Sequence, residues 1–398
     1  MEVVIEKLDH FGRGIAHVDG KICFIKNALP GEVVDIEIVK NKKKWSEAKV
    51  CHYKRKSLER KKPFCPYYEE CGGCSLQHIS FKDENSFKEK KVKELIQKFL
   101  GENTITFLPL SYGDEYFYRN KISLHGNMRE LGYYEEKSNN FLAIEQCCLA
   151  NDKINQLLSI LNDKKYLLSH LMIRTSNDSS QVILKMDGDI SNVSELREIC
   201  DVLIVNGKII SEQKEIVSKI GKMKYYLSAD SFFQVNASLT ERLYDEIRKV
   251  VKKYKPKKVL DLYCGTGTIG LYIHDIVEQI IGIDVSFDAI EDANKNKELN
   301  DASNIFFLCD KVENKIDSFF EEIDFIIVDP PRNGLDPKTI SHLLRITPDH
   351  IVYVSCDPVT LARDLKPLLK NYKIEYIKPF NMFPRTYHVE CVCVLSRC

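Results

Sequence analysis

The sequence predicts an α/β fold: a Rossmann-like, doubly wound parallel sheet in the C-terminal part, a small OB-fold barrel at the N-terminus and a strand-rich stretch between them. Three observations carry this. Apolar strands alternate with helices after about residue 235, and short alternating strands with tight turns fill residues 1 to about 56. A chain of 398 residues also exceeds one comfortable core, so two or three domains are expected. The boundaries fall at 1–56, 57–232 and 233–398.

Composition narrows the class. Hydrophobic residues make up 44% and charged residues 29%, as in ordinary soluble proteins. No apolar run is long enough to span a membrane, and the opening "MEVVIEKLDH" is too charged for a signal peptide. A cytoplasmic monomer with no membrane partner is expected.

Residues 1–56 read as five short strands: "MEVVIEKL", "GIAHV", "KICFIK", "EVVDIEIVK" and "WSEAKVCHY", punctuated by Gly12, Gly14, Gly20 and an "LPGE" turn. The formal charge of the whole chain is zero, yet residues 40–62 carry eleven Lys or Arg against two Glu. Trp45, His52 and Tyr53 are interleaved with these cations, which suits a surface that neutralises phosphates and stacks on bases. The plain alternative is a solvated basic face.

Next comes "FKDENSFKEKKVKELIQKFL", with Val92, Leu95, Ile96 and Phe99 at helical spacing and lysines expected on the opposite face. This helix, residues 80–100, is a candidate to pack on the C-terminal domain. Residues 110 to about 230 contain several strands of no derivable topology. Beyond them "LTERLYDEIRKVVKKY" is a helix, "KKVLDLY" a buried strand, "GTGTIGLYIHD" a turn entering a helix and "IIGIDVS" a second strand. "FDAIEDANKNKELN" is a helix again, followed by the strands "DFIIVDPP" and "HIVYVSCDP".

"VLDLYCGTGTIGL" is an apolar strand leading through a Gly-rich turn into a helix. Gly265 and Gly267 allow close backbone approach, and Asp284 ends a second strand where it can accept from ribose hydroxyls. The turn lacks the three-glycine pyrophosphate pattern, so adenosine joined to an amino acid fits better than a dinucleotide, and S-adenosylmethionine is the expected cofactor. "DFIIVDPPRNGL" then sets Asp329 and two rigid prolines at the carboxyl edge of the sheet, followed by Arg332.

Fourteen cysteines are many for such a chain. Cys23, Cys51, Cys200 and Cys309 are scattered and read as packing, as do Cys391 and Cys393. "CPYYEECGGCSLQH" instead gathers Cys65, Cys71 and Cys74, and "IEQCCLAND" offers Cys147 or Cys148 as a fourth thiol. Four thiolates suit a structural zinc ion, whereas the unpaired spacing and tight glycines suit a larger iron–sulfur cluster; both stay open on chemistry alone.

In this order the TRAM-like barrel, "CPYYEECGGCSLQH", "SFFQVN", "DLYCGTG", "DPPRNGL", "SCDP" and "HVE" resemble the RNA uracil-5-methyltransferases, most closely the bacterial 23S rRNA branch. The resemblance covers nearly the whole chain. It implies a class I methyltransferase domain behind a TRAM barrel, with a [4Fe-4S] cluster on Cys65, Cys71, Cys74 and Cys147. It places the methyl-donor and base contacts at Gln234, Tyr263, Gly265, Asp284, Asp310 and Asp329, and implies 23S rRNA as partner. Asp284 and Asp357 depart from the family's usual Glu and Asn; an anion at Asp357 would raise a neighbouring thiol pKa.

The implied chemistry needs one thiol and one carboxylate. Cys356, at a strand tip, would add to C6 of uracil so that C5 can take a methyl group. Glu390, opening "ECVCVL", would remove the C5 proton, with His388 a candidate to promote thiolate formation. Three other readings are weighed: a tRNA uracil-5-methyltransferase, a direct amino-group methyltransferase, and a non-catalytic RNA-binding assembly factor. Arg332 stands where amino-group enzymes place an aromatic residue, and the Cys–Asp–Pro strand end is one they do not need.

Overall fold

The computed structural model describes residues 1–101, 105–136, 138–190, 193–319 and 323–398. The N-terminal strands are β1 (Glu2–Val4), β2 (Lys7–Leu8), β3 (Gly14–Val18), β4 (Lys21–Ile25), β5 (Val33–Asn41) and β6 (Trp45–Arg55), in sheet order β1-β5-β6-β4-β3-β2. The expected single strand over residues 1–8 is therefore two strands. The chain bends at Ile5–Glu6, where Ile5 donates to Glu32 and Glu6 to Ile15. One segment thus serves both edges, and the sheet closes around Ile5, Cys23, Ile25 and Val34, all at most 1% exposed.

Helix α1 (Phe81–Leu100) has the expected bounds, with Ser80 as N-cap and Gly101 in the left-handed region at its C-cap. Its faces differ from expectation. Lys88 is fully buried, Lys91 nearly so, and Phe99 is 41% exposed. Glu84, Lys88, Val92 and Ile96 follow one another at four-residue intervals and share the stripe turned to the C-terminal domain.

The central sheet holds β7 (Lys121–Asn127), β8 (Glu130–Tyr134), β9 (Phe141–Ala143), β10 (Leu167–Thr175), β11 (Val182–Asp189), β12 (Val202–Val205) and β13 (Lys208–Ile209), in order β13-β12-β11-β10-β7-β8-β9. Helix α2 (Asp152–Lys164) covers one face with Ile154, Leu157, Leu158 and Leu161. The hairpin β14 (Ile216–Ile220) and β15 (Met223–Leu227) instead joins the C-terminal core through Ile216, Tyr225 and Leu227.

The C-terminal domain comprises α3 (Ala237–Tyr254), β16 (Lys258–Leu262), α4 (Thr268–Ile273), β17 (Gln279–Asp284), α5 (Phe287–Leu299), β18 (Ile305–Cys309), α6 (Val312–Lys315), β19 (Phe325–Val328), α7 (Pro337–Ile346), β20 (His350–Ser355), α8 (Pro358–Leu368), β21 (Tyr372–Phe380) and β22 (Glu390–Arg397). The order is β18-β17-β16-β19-β20-β22-β21, parallel from β18 to β20, with β22 antiparallel to both its neighbours. Strand order reverses between β16 and β19, the position where open α/β sheets form their ligand crevice. Helix α1 packs on α8, and residues 106–111 hydrogen-bond alongside β21 through Leu108 to Ile377 and Ser111 to Pro379. Cys23, Cys391 and Cys393 are core filler as expected, but Cys51 and Cys309 are exposed. Among the described residues no helix is long and apolar enough to cross a membrane.

Candidate active site

Every acidic or thiol residue singled out in the C-terminal domain sits at the same edge of its sheet. Tyr263 follows β16, Asp284 ends β17, Asp310 follows β18, Asp329 follows β19 and Cys356 follows β20. Strand β22 runs the other way, so its first residue, Glu390, reaches the same edge. Ser355 faces Cys391 in the β20–β22 register, making Cys356 and Glu390 the next residues along two adjacent antiparallel strands.

The Gly-rich turn is shaped for a ligand. Tyr263 adopts φ +62°, Gly265 φ +53° and Gly267 φ +76°. A Cβ on Gly267 would come within 2.4 Å of Phe307, so that glycine is needed for packing; one on Gly265 would meet nothing within 4 Å and points into open space. Asp284 closes this cradle, its two oxygens accepting from the Gly265 and Ser286 amides at 3.0 and 2.8 Å. Each oxygen keeps a second acceptor site for a ribose hydroxyl. Asp310 donates its amide to the Asp284 carbonyl at 3.0 Å and lies alongside. Below the turn, buried Asp261 accepts from Gly270 with one oxygen, while the other has no partner among the described residues. These features fit an adenosine-bearing ligand. Gln234 lies on the segment entering α3, fixed by Asn120 donating to its carbonyl and by Asn236 donating to Met382.

Burial sets the protonation states. The Cys356 thiol is pushed up to about 12, first by burial and then by Glu390 and Asp329, with Arg332 opposing. Glu390 rises to about 8 through burial and Asp329, again with Arg332 opposing, and burial lifts Asp329 to about 7. His388, expected as a candidate helper, is driven down to about 4 by burial, Arg332, Lys91 and Lys88; it is neutral, and Arg332 is the cation acting on the thiol. Asp357 spends its charge elsewhere: it N-caps α8, accepting from Val359 at 2.7 Å and Thr360 at 3.4 Å. Either Asp or Asn performs that task, and the anion ranks last among the influences on Cys356.

Sequence reasoning missed Lys91, which donates to the Tyr387 carbonyl at 2.8 Å and lies 5.3 Å from the Tyr387 ring centroid. Burial lowers its pKa to about 8, with Lys88 adding to the effect. The signal was present: Lys88 falls in the same four-residue series as Val92 and Ile96, and Lys91 lies one turn from it.

Cys65, Cys71, Cys74, Cys147 and Cys148 line one cavity of about 360 Å³ under the central sheet, with Arg119, Tyr133 and Gln146. Among the described residues no three His, Cys, Asp or Glu converge closely enough to hold a single metal ion. A lining of this kind has the thiol chemistry to hold either a metal ion or a cluster. Cys74 is pushed up to about 12 by burial, with Cys147, Cys71 and Cys65 adding repulsion, so Cys147 shares the space of the CxxxxxCGGC loop. Cys148 instead donates a hydrogen bond to the free Cys65 sulfur, a contact that lowers the Cys65 pKa to about 7. The loop is tied to the strand carrying Glu390: Ser75 and Leu76 both donate to the Arg385 carbonyl, five residues before it.

Comparison with known proteins agrees with this geometry. A profile of the tRNA (uracil-5-)-methyltransferase family matches residues 197–398, and a TRAM domain profile matches residues 1–51. An uncharacterized RNA methyltransferase of Clostridium acetobutylicum is 31% identical over all of this chain and 96% of its own length. One of Bacillus cereus is 32% identical with the same coverage. The crystal structure of Pyrococcus abyssi tRNA (uracil-54, C5)-methyltransferase with S-adenosyl-L-homocysteine superposes with a TM-score of 0.79 at 27% identity, covering 99% of this chain and all of that one.

Proposed function

The chain belongs to the RNA uracil-5-methyltransferase family, and on that premise we propose that it methylates C5 of a uridine in 23S rRNA through a covalent bond between Cys356 and C6 of the ring. The observation that supports this most is the register of β20 and β22, which sets a thiol beside a buried carboxyl with Asp329 close to both. S-Adenosylmethionine, when bound, supplies a methyl group on a sulfonium. Tyr263, Gly265, Asp284 and Asp310 would hold its adenosine end in the Gly-turn cradle, and Gln234 and Asp329 would supply the remaining contacts to donor and base.

C5 of uracil is too weak a nucleophile to displace that methyl unaided. Cys356 gives up its proton to solvent and adds through sulfur to C6, and the electron pair of the C5–C6 double bond moves into a C4 enolate. C5 then takes the methyl group from the sulfonium, whose sulfur leaves as the neutral thioether S-adenosylhomocysteine. Glu390 removes the remaining C5 proton, the double bond reforms and the thiolate leaves. A carboxyl with its pKa near 8 is a far stronger base than an exposed glutamate, which matches the task of taking a carbon-bound proton.

Cys65, Cys71, Cys74 and Cys147 would hold a [4Fe-4S] cluster. Four thiolates would saturate it, so its contribution is to order the loop that meets Arg385, and no step of the reaction passes through it. A second reading, methylation of a tRNA uridine, draws on the likeness to the Pyrococcus tRNA enzyme. That likeness extends over the N-terminal barrel, so a barrel alone does not separate the two substrates. The test offers methyl-labelled S-adenosylmethionine with transcribed 23S rRNA and tRNA, then maps the label. 5-Methyluridine in 23S rRNA is expected. Label at a tRNA uridine selects the second reading, and label on an exocyclic amine overturns both.

A further inference from the structure

The turn that carries Arg332 is held by a carboxylate from another element. Gly334 donates to the Pro331 carbonyl at 2.8 Å and closes a turn over residues 331–334, with Arg332 exposed at its second position. The next residue, Leu335, donates its amide to Asp364 at 2.7 Å, and Arg363 donates to the Asn333 carbonyl at 2.7 Å. Asp364 lies on α8, the helix that begins just after Cys356. It also accepts from the Tyr353 hydroxyl at 2.8 Å, and Tyr353 is on β20, the strand that leads to the same thiol.

Three features set this contact apart from ordinary packing. Asp364 and Tyr353 are both fully buried, and a buried carboxylate persists only where donors repay its lost hydration. Its donors are the turn, the strand and the Arg363 Nε at 2.7 Å. Gly334 has φ +74°, and a Cβ there would come within 2.3 Å of the Asp364 carboxylate and 2.6 Å of the Arg363 guanidinium, so the backbone is laid directly on this pair. The turn also borders a groove of about 810 Å³, lined by Pro331, Asn333, Gly334 and Leu335 themselves. Packing on that side does not hold it; the hydrogen bonds do.

We propose that Asp364 is a positioning residue: by joining the turn at residues 331–335 to the strand that leads to the thiol, it sets where the Arg332 side chain stands against Cys356 and Glu390. Arg332 opposes the acidic neighbours of both residues, and an exposed side chain does so reproducibly only from a fixed backbone. Asp364 is buried beneath the turn and acts through Arg332. The purpose of the brace rests on the uridine-methylating reading, whereas the brace itself is open to test on the thiol alone.

Iodoacetamide alkylates the thiolate, so the rate at which the Cys356 peptide is modified reports the field at that sulfur. It is followed by mass spectrometry at pH 8 on the full-length protein, without RNA or S-adenosylmethionine. Arg332→Gln should slow alkylation on the order of threefold. Tyr353→Phe, which keeps the buried ring, and Asp364→Leu should each slow it too. Neither should slow it further in the Arg332→Gln background, because all three act through one cation. Asp364→Asn, whose amide oxygen still accepts from Leu335 and Tyr353, should stay within about twofold of wild type. If Asp364→Leu does not fold, Tyr353→Phe carries the test. A rate at or above wild type in Arg332→Gln or Tyr353→Phe, a slowing by Tyr353→Phe that survives in full without Arg332, or Asp364→Asn slowed as far as Tyr353→Phe would each overturn the brace. Methyl transfer is assayed separately: the alkylation pattern as described with no uridine methylation would sink the catalytic reading and leave the brace standing.

Discussion

Glu390 keeps its proton until about pH 8 because it is 5% exposed, opens an apolar strand and lies near Asp329. The sign follows directly: below that pH the carboxyl is protonated and cannot accept from C5, so resolution of the adduct should quicken as pH rises through about 8. Single-turnover measurement from pH 6 to 9 should show this rise, and Glu390→Gln should remove it, leaving a protein–RNA conjugate stable on denaturing gels. Product release from Glu390→Gln at the wild-type rate would take the residue out of this role. Gly265 makes a second test at this scale. Its Cβ position opens into the cradle but its φ is left-handed, so Gly265→Ala should fold with some loss of stability and bind S-adenosylhomocysteine at least tenfold more weakly by calorimetry, while Gly267→Ala, which would also strike Phe307, should lose more stability. Residue identity was largely legible because strand-end chemistry is local: "DPPRNGL" and "SCDP" announce themselves. Protonation was not legible, because it depends on which charges the fold gathers. His388 is an example, made neutral by burial and then by three cations distant in sequence.

At the scale of elements, α1 joins three parts of the chain. Lys88 pairs with Glu84 at 2.9 Å and donates to Asn381 at 2.5 Å and to the Phe383 carbonyl at 3.0 Å. Glu84 in turn accepts from Asn381 and from the Arg385 amide, and the Arg385 side chain bonds the Leu76 and Ile79 carbonyls and Glu115. The loop before β22 is therefore clamped to the helix and to the cysteine loop together. Removing one member of a fully buried pair strands its partner, at a cost of about 3–5 kcal/mol. Lys88→Met should lose stability of that order in urea unfolding, and adding Glu84→Gln should recover part of it; a loss under about 1 kcal/mol would mean the clamp is slack. The helix's bounds could be read from its caps and periodicity. Its buried lysine could not, because a cation in an apolar stripe is tolerated only where distant carbonyls and a carboxylate await it.

For the whole molecule, the alternation of strands and helices announced the doubly wound sheet, and the TRAM-type barrel was legible from its turns. The central sheet was not, since its β10–β7 pairing joins strands far apart in sequence, its β11–β12 pairing is a parallel crossover, and none of these strands carries a motif. The cysteines that sequence grouped, Cys65, Cys71 and Cys74 with Cys147 and Cys148, do line one cavity. If that cavity holds a [4Fe-4S] cluster, protein prepared without oxygen should carry about four irons and show a visible absorption band, and Cys74→Ser should lose both. One zinc per chain and no such band would assign the thiols differently. The central claim is the sulfur–carbon bond at Cys356, and it is tested most directly by mass spectrometry of the protein incubated with S-adenosylmethionine and 5-fluorouridine-substituted RNA. Fluorine at C5 cannot leave as a proton does, so the adduct should persist, with the RNA fragment found on the Cys356 peptide and absent from Cys356→Ala. A crosslink on another side chain, or none from an enzyme that methylates ordinary uridine, would contradict the account.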